Sequence, residues 1–276
     1  MSAAMSSRRA ALVTGGARRI GRAIVGALAE EGYAVAIHCH RSLAAAQRLA
    51  KQVAAEGGRA QVLEADLSVV SQVERLVPAA VAALGPLVLL VNNASIFEED
   101  GVDALEPVRF DRHIAVNLRA PLLLARDIAR QAPDGGGASI VNIIDQRVLK
   151  PDPRCFSYAL TKAALWDATR IMAQAFAPKL RVNAVAPGPT VPNSRDGAAG
   201  VAREAAATLL GRRVSPRSIA EAVMFLSRAS HTTGQILAVD SGQHLAWLTP
   251  DIAATMKSHP DAHRFANSLL NLWKSP

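Results

Sequence analysis

Cysteine is nearly missing from this chain: only Cys39 and Cys155 stand among 276 residues, without CxxC spacing or a histidine cluster beside them. That excludes a disulfide framework and a zinc site, and it fits a reducing compartment. Long apolar runs are missing too. No uninterrupted apolar stretch reaches the roughly 18 residues that a membrane-spanning helix needs. The basic start MSAAMSSRRAALVTGGARRIG breaks its apolar stretch with Gly-Gly and two arginines too early for a signal peptide, which places the chain in the cytoplasm. Aromatic residues make up only 4% and the Lys and Arg are scattered singly or in pairs, so the formal charge of +8 is not organised into a basic-aromatic platform for nucleic acid. An anionic small molecule is the expected partner. His259 and His263 lie four apart in the tail, but Pro260 stands between them and no third ligand is evident, so no metal is expected.

What the chain has is a large apolar content and a regular alternation. Half of its residues are hydrophobic, enough for a substantial core. Apolar runs at Ala10–Thr14, Ala34–Ile37, Ala60–Leu63, Leu87–Val91, Ser139–Ile144, Arg181–Val185 and Ile236–Val239 are separated by segments of helical period at roughly 19–31, 43–57, 69–84, 104–131, 157–177 and 216–228. Strand alternating with helix predicts an α/β fold: one mostly parallel, doubly wound sheet with helices on both faces. No Pro/Ser-rich linker or repeat divides the run, and PDGGGAS at 133–139 reads as the turn that feeds a strand. A single domain over 1–245 is expected. The Pro- and Gly-rich segment 187–214, with a short alanine-rich helix, is a candidate substrate lid. Residues 246–276 form an extension with apolar positions at helical spacing, Phe265, Leu269, Leu270, Leu272 and Trp273 among them.

The first alternation is chemically specific. ALVTGGARRIGRAI is a strand, a turn with Gly15, Gly16 and Gly21, and a helix start, which lets backbone N–H groups and the helix dipole meet a pyrophosphate. The spacing is not GxGxxG. Dinucleotide sites usually end the second strand with a carboxylate for the ribose 2′-hydroxyl. Here YAVAIH runs into Cys39, His40, Arg41 and Ser42. Arg41 and Ser42 offer a planar cation and a hydroxyl suited to a 2′-phosphate, with Arg19 as a second cation, so NADP is favoured over NAD. The alternative is that Ser42 merely caps the next helix.

With TGGARRIG, EADLS, VNNAS, IAVN, Tyr158-xxx-Lys162 and PGPT in this order, the chain resembles the short-chain dehydrogenase/reductase family over about residues 8–245. The resemblance implies an NADP-dependent oxidoreductase and a homotetramer. It implies that Asn92, Asn93 and Ala94 form a turn supporting sheet and cofactor and that Asp66 lies near the adenine. Ile20, His40, Leu67, Ser95, Pro187 and Gly188 are further cofactor contacts by the same resemblance. It makes Asn117 the holder of a proton-relay water, Tyr158 the general acid, and Lys162 a ribose ligand that lowers the tyrosine pKa. Helical spacing puts Tyr158 and Lys162 on one face, and an adjacent ammonium favours phenolate, which agrees with these roles.

One position departs from the family. The serine that usually bonds the substrate carbonyl falls at 145, and 145 is aspartate. Ser157 does not simply replace it, because neighbours on a helix diverge by about 100°. An alkoxide-like transition state wants donors, so a carboxylate argues against ketone reduction. A nitrogen-rich ring reverses that preference: reducing C=N leaves nitrogen needing a proton, and a carboxylate can bond ring N–H groups or relay that proton. The chain looks like the pteridine reductases and dihydromonapterin reductases within the family, with Arg19 at the middle glycine, His38–Ser42 as the HxHRS stretch, Asp145, and Ser95 followed by Phe97. Phe97 is expected to sandwich a flat pterin, with Ser95, Asp145 and Tyr158 as substrate contacts. The alternatives are a carbonyl reductase such as a 3-oxoacyl-thioester reductase, and a non-catalytic NADP-binding sensor or scaffold.

Overall fold

Seven short apolar segments pair edge to edge in the computed structural model, which describes residues 9–132, 137–190 and 197–246. The strands are β1 (Ala10–Val13), β2 (Ala34–Cys39), β3 (Arg59–Glu64), β4 (Leu87–Asn92), β5 (Ala138–Ile143), β6 (Leu180–Pro187) and β7 (Ile236–Val239). All pairings are parallel, in the order β3-β2-β1-β4-β5-β6-β7. The helices are α1 (Arg19–Glu30), α2 (Leu43–Ala55), α3 (Val70–Leu84), α4 (Pro107–His113), α5 (Ala120–Gln131), α6 (Phe156–Phe176), α7 (Gly197–Ala206) and α8 (Pro216–Arg228).

The central strands β1, β2 and β5 are buried along their whole length, which is why they read as mostly apolar runs, interrupted by buried His38, Ser139 and Asn142, rather than as alternating patterns. Edge strand β3 alternates exposed and half-buried residues and carries Arg59, Gln61 and Glu64. Within β1 the period of two divides the core. Ala11 and Val13 pack with Ile24, Leu28 and Val223 under α1 and α8, whereas Ala10 and Leu12 pack with Leu76, Leu124 and Ile128 under α3 and α5. The order reverses between β1 and β4. In a doubly wound sheet that leaves a crevice beyond the strands' carboxyl ends, and the candidate residues all follow those ends.

The helix expected over 104–131 is divided. Glu106 caps α4 by accepting from the Val108 and Arg109 amides at 3.0 and 2.9 Å, with Pro107 in the first turn, where its missing N–H costs nothing. A π turn at Ile114–Arg119 then joins α4 to α5. Such bulges widen a helix by one residue and often mark functional positions. This one holds Asn117. The alanine-rich helix expected in 187–214 is α7; residues 191–196 of that segment, 133–136 of the PDGGGAS turn, and the tail with its histidines and apolar positions lie outside the described residues. Among the described residues no helix is long and apolar enough to cross a membrane.

Candidate active site

The turn after β1 is built by a fit that excludes side chains. Gly15 has φ +62°, and a Cβ on Gly21 would lie 2.2 Å from the Gly15 carbonyl oxygen, so α1 can start this close to the strand only with glycine at 21. The turn after β4 locks it in place. Asn93 Nδ2 donates to the Thr14 and Gly15 carbonyls at 2.8 and 3.1 Å, while Thr14 Oγ1 accepts from the Asn93 and Ala94 amides at 2.9 and 3.0 Å. Arg18 makes no side-chain cap bond to α1 and the first turn carries no acidic residue, the setting in which a helix N-terminus attracts an anion. Arg19 adopts φ +53°, a left-handed conformation that glycine takes at little cost. The strain is consistent with a side chain kept for its charge.

His38, buried in β2, joins this turn to the sheet. Its Nδ1 accepts from the Gly15 amide at 3.1 Å, which makes Nε2 the donor to the Ala65 carbonyl at 3.0 Å. Burial lowers its pKa to about 4, and the neutral ring is the form that this bonding requires. Beyond it, β2 ends in buried Cys39 and the chain emerges at exposed His40 and Arg41 and half-buried Ser42. Ser42 occupies the N-cap position of α2 but makes no side-chain cap bond, so capping does not use the hydroxyl. His40 Nε2 lies 3.6 Å from Asp66 Oδ2. Partial burial works against the charge of Asp66, but the Ser68 amide and hydroxyl, each at 2.8 Å, hold its carboxyl below the usual range, with His40 assisting.

At the other end, α6 presents Tyr158 and Lys162 on its buried face, four residues apart as the spacing predicts. Tyr158 Oη donates to Asp145 Oδ2 at 2.8 Å. The phenol's pKa is pushed well above 10, first by burial and then by the charge and hydrogen bond of Asp145. The expectation that Lys162 draws it down meets a different geometry: the ammonium donates to the Ile143 carbonyl at 2.8 Å and stands 5.7 Å from the Tyr158 ring centre. Burial lowers the ammonium to about 8. Phe97 meets Tyr158 edge to face, centroids 4.8 Å apart. Ser157, fully buried, gives its amide and hydroxyl to Asp100 and stays out of the site, as the angular argument requires.

One cavity of about 670 Å³ runs between these ends. Gly15, Arg19, Ile20, His40, Arg41, Ser42, Asp66, Leu67, Asn93, Ala94, Ser95, Phe97, Asp145, Tyr158, Lys162, Pro187 and Gly188 all line it. Asn117 does not. It lies fully buried behind the wall, exchanging hydrogen bonds with the Ile96 backbone at 2.9 and 3.0 Å, donating to Thr161 Oγ1 at 3.3 Å and accepting from Ser95 Oγ at 3.2 Å. The reading of the sequence passed over Arg147. Its amide donates to Asp145 Oδ1 at 2.8 Å and its Nη1 lies 3.3 Å from both Asp145 oxygens. The available signal was an Asp-x-Arg turn, in which an aspartate bonds the backbone two residues on. Chemically, the cavity offers anion-binding cations and amides at one end and a phenol hydrogen-bonded to a carboxylate at the other.

Residues 9–199 match the family model described as short chain dehydrogenase. The structure of FolM alternative dihydrofolate reductase 1 from Brucella canis, complexed with NADP, is 48% identical, covers 90% of this chain and 99% of its own, and superposes with a TM-score of 0.85. A 3-oxoacyl-[acyl-carrier-protein] reductase of Staphylococcus aureus is 30% identical over 246 residues, 87% of this chain and all of that protein. An uncharacterised oxidoreductase of Methylorubrum extorquens is 34% identical over 242 residues, 85% of this chain and 97% of its own.

Proposed function

The chain belongs to the short-chain dehydrogenase family, and we propose that within it the protein is an NADPH-dependent reductase of a pterin, taking a dihydropterin to its tetrahydro form. One observation carries this reading: the phenol that must give up a proton is bonded at 2.8 Å to a carboxylate, where ketone reduction calls for a neutral donor. The 48% identity to a Brucella canis protein described as an alternative dihydrofolate reductase supports it.

The residues fit the cofactor. A pyrophosphate suits the uncapped amides of α1 and the side-chain-free approach at Gly15 and Gly21. The 2′-phosphate suits His40, Arg41 and Ser42, where β2 ends without a carboxylate. Pro187 and Gly188 close the far wall, and Gly188 passes so near Asp240 that a Cβ there would lie 2.6 Å from its Cα. When bound, NADPH supplies the hydride.

The chain's own residues then handle the proton. Reducing a C=N bond puts hydride on carbon and a proton on nitrogen, and Tyr158 Oη is the donor within reach of the cavity. Asp145 accepts the phenol's hydrogen bond in the resting geometry and can accept from ring N–H or amino groups, which a pterin has and a ketone lacks. Phe97, edge-on to Tyr158, gives a flat ring an aromatic neighbour. Lys162, held by Ile143, keeps a cation beneath the phenol and fits a ribose hydroxyl. A homotetramer in the cytoplasm belongs to the same reading, and light scattering checks the assembly. The second reading, a 3-oxoacyl-thioester reductase, draws on the Staphylococcus aureus relative. NADPH consumption with a panel of dihydropterins and 3-oxoacyl thioesters separates the two, and turnover of thioesters alone rejects the pterin reading.

A further inference from the structure

Tyr158 stands at the inner end of a row of alternating charge. Arg154, exposed, donates to Asp152 through its amide, Nε and Nη2 at 3.1, 2.9 and 2.8 Å. These bonds, opposed by partial burial, hold the Asp152 carboxyl down at about 2. Asp152 Oδ2 lies 3.6 Å from Arg147 Nε, Arg147 clasps Asp145, and Asp145 Oδ2 accepts the hydrogen bond of the Tyr158 phenol. Exposure falls steeply along the row, from 69% for the Arg154 side chain to 15%, 19% and 14% for Asp152, Arg147 and Asp145. The Arg147 guanidinium also stands 5.8 Å over the Phe97 ring.

Burying an arginine between two aspartates is a poor device for stability alone, because desolvation offsets most of the attraction. What the row accomplishes is geometric. A carboxylate next to a phenol has two oxygens that can exchange places; here the Arg147 amide fixes Oδ1 from the backbone and Nη1 bridges both oxygens, leaving Oδ2 aimed at Tyr158. Without the guanidinium, Asp145 keeps one backbone amide and the phenol, and Phe97 loses its cation.

We propose that Arg147 is a positioning residue for the reaction: it fixes the Asp145 carboxylate so that one oxygen accepts the Tyr158 hydrogen bond, and it holds Phe97 beside them. This rests on the reading of Tyr158 and Asp145 as the proton-handling pair. The charged and titratable groups around the pair are Arg147 and Asp152 on the loop before α6, Cys155 at the start of α6 and Lys162 on α6 itself. Phe97 and Arg147 act on the carboxylate and ring, not on the cofactor end.

Arg147→Met, Arg147→Lys, Asp145→Asn and the Arg147→Met/Asp145→Asn double variant test this. The chain has two tyrosines, so tyrosine labelled with carbon-13 at Cζ alone gives two resonances, and the one lost in Tyr158→Phe belongs to Tyr158. Arg147→Met should move that resonance, and Arg147→Lys should leave it near its wild-type place. In turnover, Arg147→Met should lower kcat about 10²-fold, at the lower end of what general acid catalysis contributes, with the NADPH dissociation constant unchanged. Arg147→Lys should recover to within about tenfold of wild type, since a lysine keeps the charge but not the fork. In the Asp145→Asn background, Arg147→Met should cost less than about threefold more, the non-additivity expected of residues acting as a unit. An unmoved Tyr158 resonance in Arg147→Met, equal losses in the Met and Lys variants, or full additivity with Asp145→Asn overturns the proposal. Wild-type enzyme that reduces only ketones rejects the pterin reading instead, and the same variants are then compared on that ketone.

Discussion

The two ends of the cavity are made in different ways. The cofactor end is backbone architecture: Gly15 in a left-handed conformation, Gly21 with no room for a Cβ, Asn93 and Thr14 stapling two turns, and cations only at the rim. The substrate end is side-chain electrostatics: Arg147 bonded to Asp145, Asp145 to the phenol, with Lys162 tied to a strand carbonyl beside them. Backbone architecture leaves a trace in spacing, because only certain residues permit the turn. An ion pair two residues apart leaves almost none, because its meaning comes from what the fold brings opposite it.

Breaking each end separately sharpens the contrast. The largest effect belongs to the substrate end. Tyr158→Phe removes the proton donor with little change of shape, and turnover should fall about 10²–10⁴-fold while NADPH binding persists, read by steady-state kinetics and calorimetry. Near-full turnover with chemistry rate-limiting means that the proton comes from another group.

The next effect probes the join between sheet and glycine turn. His38 is neutral in the fold, with its pKa lowered from 6.5 to about 4 by burial. The unfolded chain therefore binds a proton between those values while the folded chain does not. Stability is full above pH 6.5, declines as pH falls toward 4, and then levels, by about 3 kcal/mol for a gap of this size. Chemical unfolding followed from pH 7 to 4 should show that decline, and His38→Gln should flatten it. In the folded protein His38 takes up a proton only as pH approaches about 4, which removes the acceptor for the Gly15 amide, so NADPH affinity should hold at higher pH and weaken only there.

The smallest effect is at the rim. Arg41→Ala should weaken NADPH binding by tenfold or more and leave NADH nearly unchanged, since a bond to an ionised group contributes about 1.5–3 kcal/mol. Equal dissociation constants for both cofactors in the wild type contradict the 2′-phosphate assignment.

The frame of the fold was legible because buried parallel strands are mostly apolar runs, and every expected run became a strand of the sheet. The segment 104–131 was less legible. Its apolar period is continuous through the π turn, and nothing local signals the extra residue that brings Asn117 to the Ile96 backbone. The site followed the same division. Ordered motifs located the cavity wall, including Tyr158, Lys162 and Asp145, whereas the depth of Asn117, the carbonyl partner of Lys162 and the grip of Arg147 on Asp145 depend on contacts between distant elements or on loop conformation.

Asp145 decides what the substrate end is for. The most direct measurement is kcat/KM of the wild type and of Asp145→Ser on a dihydropterin and on a 3-oxoacyl thioester, with NADPH binding measured alongside. A serine hydroxyl restores the neutral donor that an alkoxide-like transition state requires and removes the carboxylate that ring N–H groups use. The expected result is a wild type that favours the dihydropterin and a variant that loses that activity while still binding NADPH and shifting its preference toward the thioester. A wild type that reduces the thioester well and leaves every dihydropterin untouched contradicts the account.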